Sequence, residues 1–466
     1  MCDYEAEYYD YEKGNWILYK CPHEPSKPRC MFHDGYSYKS RPDDVRNEFY
    51  KMVDDAIQND QPLYCIGFRL PDITVNGKKF TKPVYFSDAK FQQAYLSNVE
   101  FQQQANFSGA TFQQEANFLG AKFQQEAYFL GAKFQQADFS GATFQQEANF
   151  LGATFQQADF SGAKFQQAYF SNSKFQQEAY FLGAKFQQEA DFLDTTFQQQ
   201  ACFSNSKFQQ EAYFLGAKFQ QQADFSYADF IGEVEFINTT FPNEDRTNKH
   251  IPIRFDYSTF RSRVRFIGDS NEPLDLSNVS FKGVNLDNVE FHNVKWREDK
   301  VLWFIKRNIV ADELFMDELK NYQEVSRIYN QLRKNYEMHL HFTEASHFFI
   351  GEMEAIRRSL WSKGIGGKLA SIPYLLYKYI ALYGESVFLP LVLWTPTIII
   401  GFAVWRILVS NCYDPQCMID RVIDSIAAYF QVPRNALQQD IIERILAVPI
   451  LGSAFIALRR RFERRK

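Results

Sequence analysis

Two cysteines and two histidines lie within thirteen residues near the start of the chain, in the segment CPHEPSKPRCMFH. Thiolate sulfur and imidazole nitrogen are the ligands of tetrahedral zinc sites, so Cys21, His23, Cys30 and His33 form a candidate metal site with zinc as its cofactor. Their spacing, C-x-H-x6-C-x2-H, is not that of a standard zinc finger. The alternative is a proline-rich loop with reduced cysteines and ordinary surface histidines, and both interpretations stay open.

A second pair of cysteines, Cys412 and Cys417, lies near the C-terminus with YDPQ between them. These four residues include Pro415 and can make the turn that a disulfide requires, but spacing alone does not show that the bond forms. The seven cysteines of the chain are scattered rather than regularly paired. The chain is therefore not a disulfide scaffold.

No pairing of a nucleophile with a base, no phosphate-binding loop and no carboxylate dyad emerges from the sequence, so we expect a protein that is not an enzyme. His339, His341 and His347 lie near Glu344 and Glu352 but do not form the H-E-x-x-H pattern of metalloproteases. We interpret them as surface or helix-interface histidines. The net charge of −5 predicts no affinity of the whole molecule for nucleic acid.

Residues 89–241 repeat in units of five or six residues, beginning AKFQQ AYLSN VEFQQ. An aromatic residue or Leu ends each interval, with a small residue two places before it, as at Ala110 and Phe112. Such a period cannot place the phenylalanines on one stripe of an α-helix. In an extended segment, residues two apart point to the same side, so Ala and Phe face inward and the other positions face water.

Four such sides per turn predict a right-handed quadrilateral β-helix whose coils stack at about 4.8 Å. Stacked phenylalanines then form its structural core, for which the repeat selects Phe112, Phe123, Phe134, Phe144, Phe155, Phe165, Phe175 and Phe186. A disordered Gln-rich tract would not carry so many regularly spaced phenylalanines.

These residues resemble the pentapeptide-repeat family, whose pattern A(D/N)Lxx is present here in a Phe-centred form. The resemblance implies a mainly β fold built as this β-helix. A sixth, polar residue recurs after Phe-Gln-Gln, and we interpret it as an outward bulge at a corner. The sixth residues are Gln104, Glu115, Glu126, Glu147, Glu178, Glu189, Gln200, Glu211 and Gln222.

The remaining sequence suggests four regions. Residues 1–63 form an N-terminal cap region with an amphipathic helix over 43–58, and residues 64–297 form the β-helix, interrupted by a loop at 242–252. From about residue 300 the apolar period becomes helical, which predicts an α-helical linker over 298–368. Residues 369–466 are a predicted membrane region that ends in a basic tail.

The membrane region is predicted as a transmembrane helical hairpin. Residues 369–384 are rich in tyrosine and suit an interfacial helix. The first span, 386–408, includes twenty consecutive uncharged residues, enough to cross about 30 Å of hydrocarbon. The second, 441–458, has only 14 uncharged residues at its end and spans if Glu443 and Arg444 lie near the interface. Residues 410–440 between the spans form a loop or a re-entrant segment.

Basic residues flank both spans, and the segment between them is acidic. Because basic flanks stay in the cytoplasm, we expect a multi-pass membrane protein with both termini cytoplasmic. The start of the chain is acidic and Tyr-rich, unlike a signal peptide.

The order of a helix, a short helix and a second helix in the membrane region resembles the pore of two-span potassium channels. The C-terminal stretch ERILAVPILGSAFIALRRRFERRK resembles the inner helix of that family. The filter sequence of that family, TVGYG, is absent, and FQVPR stands at 430–434 instead. The resemblance implies a topology and oligomerisation, and the different filter puts selective potassium conduction in doubt.

We therefore expect a membrane-anchored scaffold whose cytoplasmic β-helix binds a protein partner that the sequence does not identify. Its second partner is membrane lipid. One alternative is an oligomeric, ion-channel-like protein with the β-helix as its cytoplasmic domain. Another is an acidic DNA mimic that binds a topoisomerase, as in pentapeptide proteins that protect DNA gyrase, because residues 84–241 carry eight Lys, no Arg and sixteen acidic residues. A membrane anchor would, however, keep such a mimic from most DNA.

Overall fold

The computed structural model describes residues 2–10, 14–23, 30–242, 252–302, 305–314, 321–432 and 438–463. The chain divides into two compact units. The first comprises residues 1–297 with 310–315, and the second comprises residues 298–309 with 316–466. Nearly all of the predicted loop at 242–252 and the last three residues of the basic tail lie outside the described residues.

The first unit is a β-helix whose aromatic side chains stack in columns along its axis. One column contains Phe101 and Phe123 with their successors up to Phe230, and neighbouring ring centroids in it are 4.7–5.2 Å apart. The other three sides carry equivalent columns, which pass through Phe107, Phe112 and Phe118. This spacing is that of hydrogen-bonded neighbouring strands. The predicted β-helix is confirmed.

The predicted inward positions are the buried ones. Ala110 and Phe112, two residues apart, are 0% and 1% exposed, as the alternation of an extended chain requires. The eight phenylalanines selected from the repeat are all buried; they are Phe112, Phe123, Phe134, Phe144, Phe155, Phe165, Phe175 and Phe186.

Short parallel strands connect each coil to the next. One sheet contains Leu63–Tyr64, Lys79–Phe80, Val84–Tyr85, Glu100–Phe101, Ala105–Asn106, Lys122–Phe123, Ala127–Tyr128, Thr143–Asn149, Lys164–Tyr169, Lys185–Phe186, Ala190–Asp191, Lys207–Phe208, Ala212–Tyr213, Asp229–Phe230, Val234–Ile237, Thr259–Phe260, Val264–Ile267 and Val289–His292. The second contains Arg69–Leu70, Ile73–Thr74, Lys90–Phe91, Ala94–Tyr95, Thr111–Asn117, Lys133–Asp138, Thr154–Asp159, Lys174–Phe175, Ala179–Tyr180, Thr196–Phe197, Ala201–Cys202, Lys218–Phe219, Ala223–Asp224, Ile253–Arg254 and Val279–Ser280. Leu274–Asp275 pairs with Val294–Lys295.

Two kinds of corner alternate along the coils. One is a tight turn, in which the Ala110 N–H donates to the Phe107 carbonyl oxygen at 3.0 Å and Gly109 has a φ of +68°. Glycine, asparagine and aspartate tolerate this backbone conformation best, which explains the Gly and Asn of the repeat. The other corner is Phe-Gln-Gln, where the strand register shifts between Phe112 and Glu115. The extra residue is accommodated only at this looser corner.

The sixth residues are half-buried or exposed, as an outward bulge requires, with one exception. Gln104 is only 3% exposed, so the prediction is wrong at that position. The strand that follows it, Ala105–Asn106, pairs with Val84–Tyr85. Tyr8 of an N-terminal hairpin packs on Tyr85, with ring centroids 5.2 Å apart. The bulge at Gln104 therefore lies on the side of the coil that this hairpin covers.

The N-terminal hairpin consists of antiparallel strands Glu5–Asp10 and Asn15–Lys20. It is followed by helix α1, Ser37–Ser40, and by helix α2, Pro42–Gln58, which corresponds to the helix predicted over 43–58. The apolar face of α2 is buried, and its Phe49 ring lies 6.4 Å from that of Phe86. The helix thus covers the open end of the first coils, as a solenoid cap must.

At the other end of the first unit, helix α3, Ala311–Leu314, packs on the last coils. The hydroxyl of Ser280 donates to the Asp312 carboxylate at 2.5 Å. The large apolar residues at the centres of these coils are buried; they are Leu276, Phe281, Leu286, Phe291 and Trp296.

The second unit begins within the strand Arg297–Leu302, which pairs with Ile305–Ile309, where the sequence predicted a helical linker from 298. Leu302 packs into an apolar cluster with Ile350 and Tyr383. This contact between distant residues favours the strand pair, and the local apolar period does not reveal it.

Helices make up the rest of the second unit: α4 (Tyr322–Met338), α5 (Phe342–Trp361), α6 (Gly364–Ala381), α7 (Thr395–Val409), α8 (Pro415–Tyr429) and α9 (Gln438–Glu463). A short 3₁₀ turn, Leu382–Gly384, follows α6, and a π-helical segment, Leu389–Trp394, leads into α7. Gly351 lets α5 approach α4, because a Cβ at this position would lie 2.5 Å from the Tyr329 ring. Pro396, at the start of α7, has no N–H to donate to the preceding turn. Its position directly after the π-helical segment is consistent with this, because the wider π-helical turns already depart from the α-helical hydrogen-bond pattern.

Candidate functional site

Four potential metal ligands converge beside the first coil of the β-helix. The Sγ atoms of Cys2, Cys21 and Cys30 and a ring nitrogen of His33 all lie within 4.8 Å of one another, and the four side chains are buried. Cys21 Sγ is 3.7 Å from Cys30 Sγ, and His33 Nδ1 is 3.2 Å from Cys30 Sγ and 3.8 Å from Cys2 Sγ. Three sulfurs and one nitrogen are a ligand set of structural zinc sites.

The structure brings together three of the four predicted ligands and replaces the fourth. His23 is not part of the cluster, because its ring packs against the rings of Phe32 and Phe68, at centroid distances of 5.4 and 6.0 Å. Cys2 takes its place, and the Cys2 N–H donates to the His23 carbonyl oxygen at 3.0 Å. Cys2 is not recognisable as a ligand from sequence spacing, because it lies far from the other ligands along the chain and only the N-terminal hairpin returns the chain to them.

Local backbone contacts set the geometry of the cluster. The Cys30 N–H donates to Cys2 Sγ at 3.2 Å, and the His33 N–H donates to the Cys30 carbonyl oxygen at 3.0 Å. His33 Nε2 lies 2.9 Å from the Ile66 carbonyl oxygen. Because a carbonyl can only accept, Nε2 carries the proton and Nδ1 presents its lone pair to the sulfurs.

The hydrogen bond between Cys21 and Cys30 shifts the pKa values of the two thiols in opposite directions. The hydrogen bond with Cys21 and burial raise the pKa of the Cys30 thiol to about 12. The hydrogen bond from Cys30 lowers the pKa of Cys21 despite burial, which acts in the opposite direction. The two thiols therefore do not ionise together, as expected for two potential anions in contact.

Cys412 and Cys417 are joined by a disulfide, with their Cα atoms 6.0 Å apart. The intervening Asp414 caps the N-terminus of α8, where its carboxylate accepts from the N–H groups of Gln416 and Cys417 at 3.2 and 3.3 Å. The other cysteines in the described part of the chain are free.

A buried ion pair connects the long apolar helices of the second unit. Arg406 of α7 lies 2.7 Å from the Glu443 carboxylate of α9, and their side chains are 1% and 0% exposed. The Ser425 hydroxyl of α8 contacts the same carboxylate and also donates to the Ile399 carbonyl oxygen at 2.9 Å. The sequence predicts Glu443 near a membrane interface; the structure instead buries it against Arg406 within the group of helices.

Helix α8 runs back along α7 rather than away from it. Its Ser425 contacts Ile399 of α7, and its Tyr429 hydroxyl lies 2.8 Å from the Thr395 hydroxyl, four residues earlier in α7. Tyr429 also packs with Ala447 of α9 in one apolar cluster. The segment between the two apolar helices thus contains a helix that contacts both of them. Residues 433–434 of the FQVPR stretch lie outside the described residues.

A second charged network lies around Glu354 of α5. Its carboxylate accepts from the Tyr383 hydroxyl at 2.9 Å and is 3.2 Å from the Lys378 ammonium, and it also contacts the Arg357 guanidinium. Burial alone would raise the pKa of Glu354, but the hydrogen bond from Arg357 and the charge of Lys378 hold it at about 2. Nearby, Arg460 of α9 pairs with Glu385 at 2.9 Å.

The histidines near Glu344 and Glu352 do not form a ligand cluster in the described residues. His339 Nδ1 contacts the Asn335 carbonyl oxygen at 2.8 Å, as at a helix end. Burial lowers the pKa of His347.

The fold defines the class of this protein as a β-solenoid with an appended helical region. Residues 79–122, 118–164, 160–203 and 203–242 match the family described as Pentapeptide repeats (9 copies). The β-helix is therefore built of pentapeptide repeats, as the resemblance in the sequence implied.

Curated proteins and solved structures were also compared with the chain. No curated protein matches the chain. Among solved structures, a trypsin-treated form of QnrB1, a plasmid-mediated fluoroquinolone resistance protein, is similar at 20% identity, with a TM-score of 0.18. The match covers 48% of this chain and 92% of that chain.

Proposed function

We propose that this protein is a membrane-anchored pentapeptide-repeat scaffold, whose second unit inserts into the bilayer and whose β-helix binds a protein partner. The observation that carries the anchor is the apolar surface of two helical segments. Leu389–Val409 and Ile441–Arg460 are 21 and 20 residues long, and only 17% and 33% of their apolar windows are buried. The core helix of a water-soluble domain buries such a face.

The exposed side chains form a surface that hydrocarbon would solvate. Ile400, Leu408, Ile445, Val448 and Phe455 are each more than 60% exposed. Leaving a large apolar side chain in water costs about 1.5–3 kcal/mol, so a surface of this kind is unfavourable in water and favourable in lipid. Two charged side chains of these helices, Arg406 and Glu443, are instead buried and pair with each other, so that neither charge would face lipid.

Membrane fractionation of the full chain tests the anchor. We expect the protein to stay in the membrane pellet after alkaline carbonate extraction and to dissolve only in detergent. Ile400→Lys with Val448→Lys should release it or prevent insertion, because a lysine near the centre of a span costs about 2.5–3.5 kcal/mol. A matched control, Gln156→Lys with Gln177→Lys on the β-helix, should leave fractionation unchanged. Release of the wild-type chain by carbonate would contradict the anchor.

The β-helix supports the binding role through its repeated surface. Glutamines of successive coils line a shallow groove of about 370 Å³; they include Gln93, Gln113, Gln135, Gln156 and Gln177. Side chains held in register on a stiff solenoid present an extended surface suited to binding rather than to chemistry.

A photo-crosslinking experiment tests this surface. A crosslinking residue at Gln135 or Gln156 of the groove should give one adduct of the same mass in cells, whereas the same residue at Leu182, an exposed position outside the groove, should not. Equal adducts at all three positions would argue against a partner bound at the groove.

An oligomeric, channel-like protein is a second candidate, favoured by one observation. Helix α8 packs between the two apolar helices, with Ser425 in contact with Glu443 and Tyr429 in contact with Thr395. A short helix between two spans is the arrangement of a pore, and a pore requires several copies. Conductance of the purified protein in planar bilayers, together with a tetramer in detergent, would support this candidate; a monomer without conductance favours the scaffold.

A further inference from the structure

We propose that Cys2, Cys21, Cys30 and His33 bind one zinc ion, which fastens the N-terminal segment to the first coil of the β-helix. The donors match this metal chemically, because three thiolates and one imidazole are soft and borderline ligands that favour zinc over magnesium or calcium. All four side chains are at most 6% exposed, so the ion would be shielded from water, as in structural sites whose coordination is complete.

The distances fit a tetrahedral site. With sulfur about 2.3 Å and nitrogen about 2.0 Å from zinc, the ligand atoms of a tetrahedron lie roughly 3.5–3.8 Å apart. Three of the distances in the cluster are 3.2, 3.7 and 3.8 Å, and none exceeds 4.8 Å. Side-chain movements of about 1 Å or less therefore complete the coordination.

The surroundings of the cluster orient its ligands for a metal. The Ile66 carbonyl oxygen accepts from His33 Nε2 at 2.9 Å and directs Nδ1 to the sulfurs. Ligating histidines usually make such a hydrogen bond with their other ring nitrogen. The Tyr4 ring stacks on the His33 ring at a centroid distance of 3.8 Å and further restricts its rotation. The N–H of Cys30 donates to Cys2 Sγ, an interaction that stabilises a thiolate.

The position of the site explains what the ion would stabilise. The Arg69 N–H of the first coil donates to the Phe32 carbonyl oxygen at 2.8 Å, and the Phe32 ring stacks on that of Phe68 at 4.3 Å. Cys2 and Cys21 flank the N-terminal hairpin, which covers Tyr85. The zinc would thus join both ends of the hairpin to the segment that touches the first coil. Its binding free energy would add to the apolar contacts, such as that of Phe32 with Phe68, that hold the N-terminal segment on the first coil.

Metal analysis of the full-length protein tests this proposal. The protein, purified in detergent without chelator and with any tag at its C-terminus, should contain one zinc per chain. Cys2→Ser and Cys21→Ser should each lower the zinc content about tenfold or more. His23→Ala and Cys202→Ser are the matched controls and should keep it unchanged. Full zinc content in Cys2→Ser, or its loss in His23→Ala, would show that this set of donors is wrong.

Cobalt substitution of the wild-type protein avoids the risk that a variant fails to fold. After removal of zinc, Co²⁺ should give the visible absorption bands of a tetrahedral thiolate site, and added Zn²⁺ should abolish them. Alkylation of Cys2, Cys21 and Cys30 should be slow with the metal and fast with a chelator. Absence of metal after incubation with zinc chloride and desalting, or a Cys21–Cys30 disulfide found by mass spectrometry, would overturn the proposal.

Discussion

At the residue scale, two buried carboxyl groups show how neighbours decide the direction of a pKa shift. Burial raises the pKa of Asp312 to about 6, since the hydrogen bond from Ser280 only partly offsets it and the charge of Asp256 adds to it. Glu354 is also buried, but Arg357 and Lys378 hold its pKa at about 2. The two pKa values shift in opposite directions because cations lie within reach of Glu354. An opposite charge favours the ionised form of a carboxyl group in a poorly solvated site.

The shift of Asp312 predicts that its carboxyl destabilises the fold at neutral pH. The folded state binds the proton more tightly than the unfolded state, whose ordinary value is 3.8, so stability falls as the pH rises from about 4 through 6. Asp312→Asn should therefore raise the unfolding temperature at pH 7.5, by the equivalent of about 1–3 kcal/mol, and the gain should disappear near pH 4. Thermal unfolding at several pH values measures this. Asp287→Asn, at an exposed position, is the control, and an equal effect of both at pH 7.5 would count against the shift.

The lowered pKa of Glu354 predicts the opposite dependence of stability on pH. Its depressed pKa contributes stability above its ordinary value of 4.5, and this contribution is lost as the pH falls towards about 2. Glu354→Gln should destabilise the second unit at pH 7 by about 3 kcal/mol, because Arg357 and Lys378 lose their buried counter-charge. Glu324→Gln is a suitable control, since its partner Arg327 is 75% exposed and such pairs contribute about 0–1 kcal/mol. Unfolding in detergent measures the stability of both variants. Equal losses of stability in Glu354→Gln and Glu324→Gln would show that the Glu354 network is not stabilising.

At the scale of the elements, the two corners of the coil explain where the repeat tolerates an extra residue. The tight corner requires positive φ at Gly109 and its counterparts and is closed by a backbone hydrogen bond, so an added residue would break it. The Phe-Gln-Gln corner has no such turn, and the added residue causes only a shift of register before the strands pair again. The five- and six-residue steps therefore coexist without misaligning the aromatic columns.

These columns predict a sharp contrast between neighbouring residues of one strand. Phe155 is 0% exposed and stacks on Phe134 and Phe175 at 4.9 and 4.8 Å, whereas Gln156 is only half-buried. Phe155→Ala should destabilise the β-helix by about 3–5 kcal/mol, because it leaves a cavity between two rings. Gln156→Ala should change stability by about 0.5 kcal/mol or less. Chemical denaturation followed by far-UV circular dichroism compares them, and similar midpoints would contradict the assignment of inward and outward faces.

At the scale of the whole molecule, the distribution of charge bears on how the chain would lie across a membrane. Basic residues stand on one side of each apolar span and acidic residues between the spans. If the spans are inserted, we expect the β-helix and both termini to be cytoplasmic and the Cys412–Cys417 disulfide to lie in the compartment where such a bond persists.

Thiol labelling of intact cells measures this topology. After mild reduction, a membrane-impermeant reagent should label Cys412 or Cys417 and should not label Cys202, which is half-buried in the β-helix and needs permeabilised cells. A C-terminal tag should likewise stay protected from added protease. Accessibility of that tag in intact cells would mean that the second apolar helix does not cross the membrane.

The sequence by itself determined the β-helix, because its information is local and repeated. Alternation places Ala110 and Phe112 on one face, and the same five or six residues recur often enough that only one stacking buries every Phe. The sequence likewise predicted apolar segments over 386–408 and 441–458, close to the apolar helices 389–409 and 441–460, since length and absence of charge are properties of a single segment.

Only the tertiary structure decided the features that depend on distant residues. It placed Cys2 rather than His23 among the four potential metal ligands, buried Gln104, and paired Arg406 with Glu443 across two helices. It also made a strand pair of 297–309, where the apolar period had predicted a helix. In each case the deciding contact joins residues far apart in the chain. Burial, ligand geometry and charge pairing depend on distances in space, which spacing along a sequence does not record.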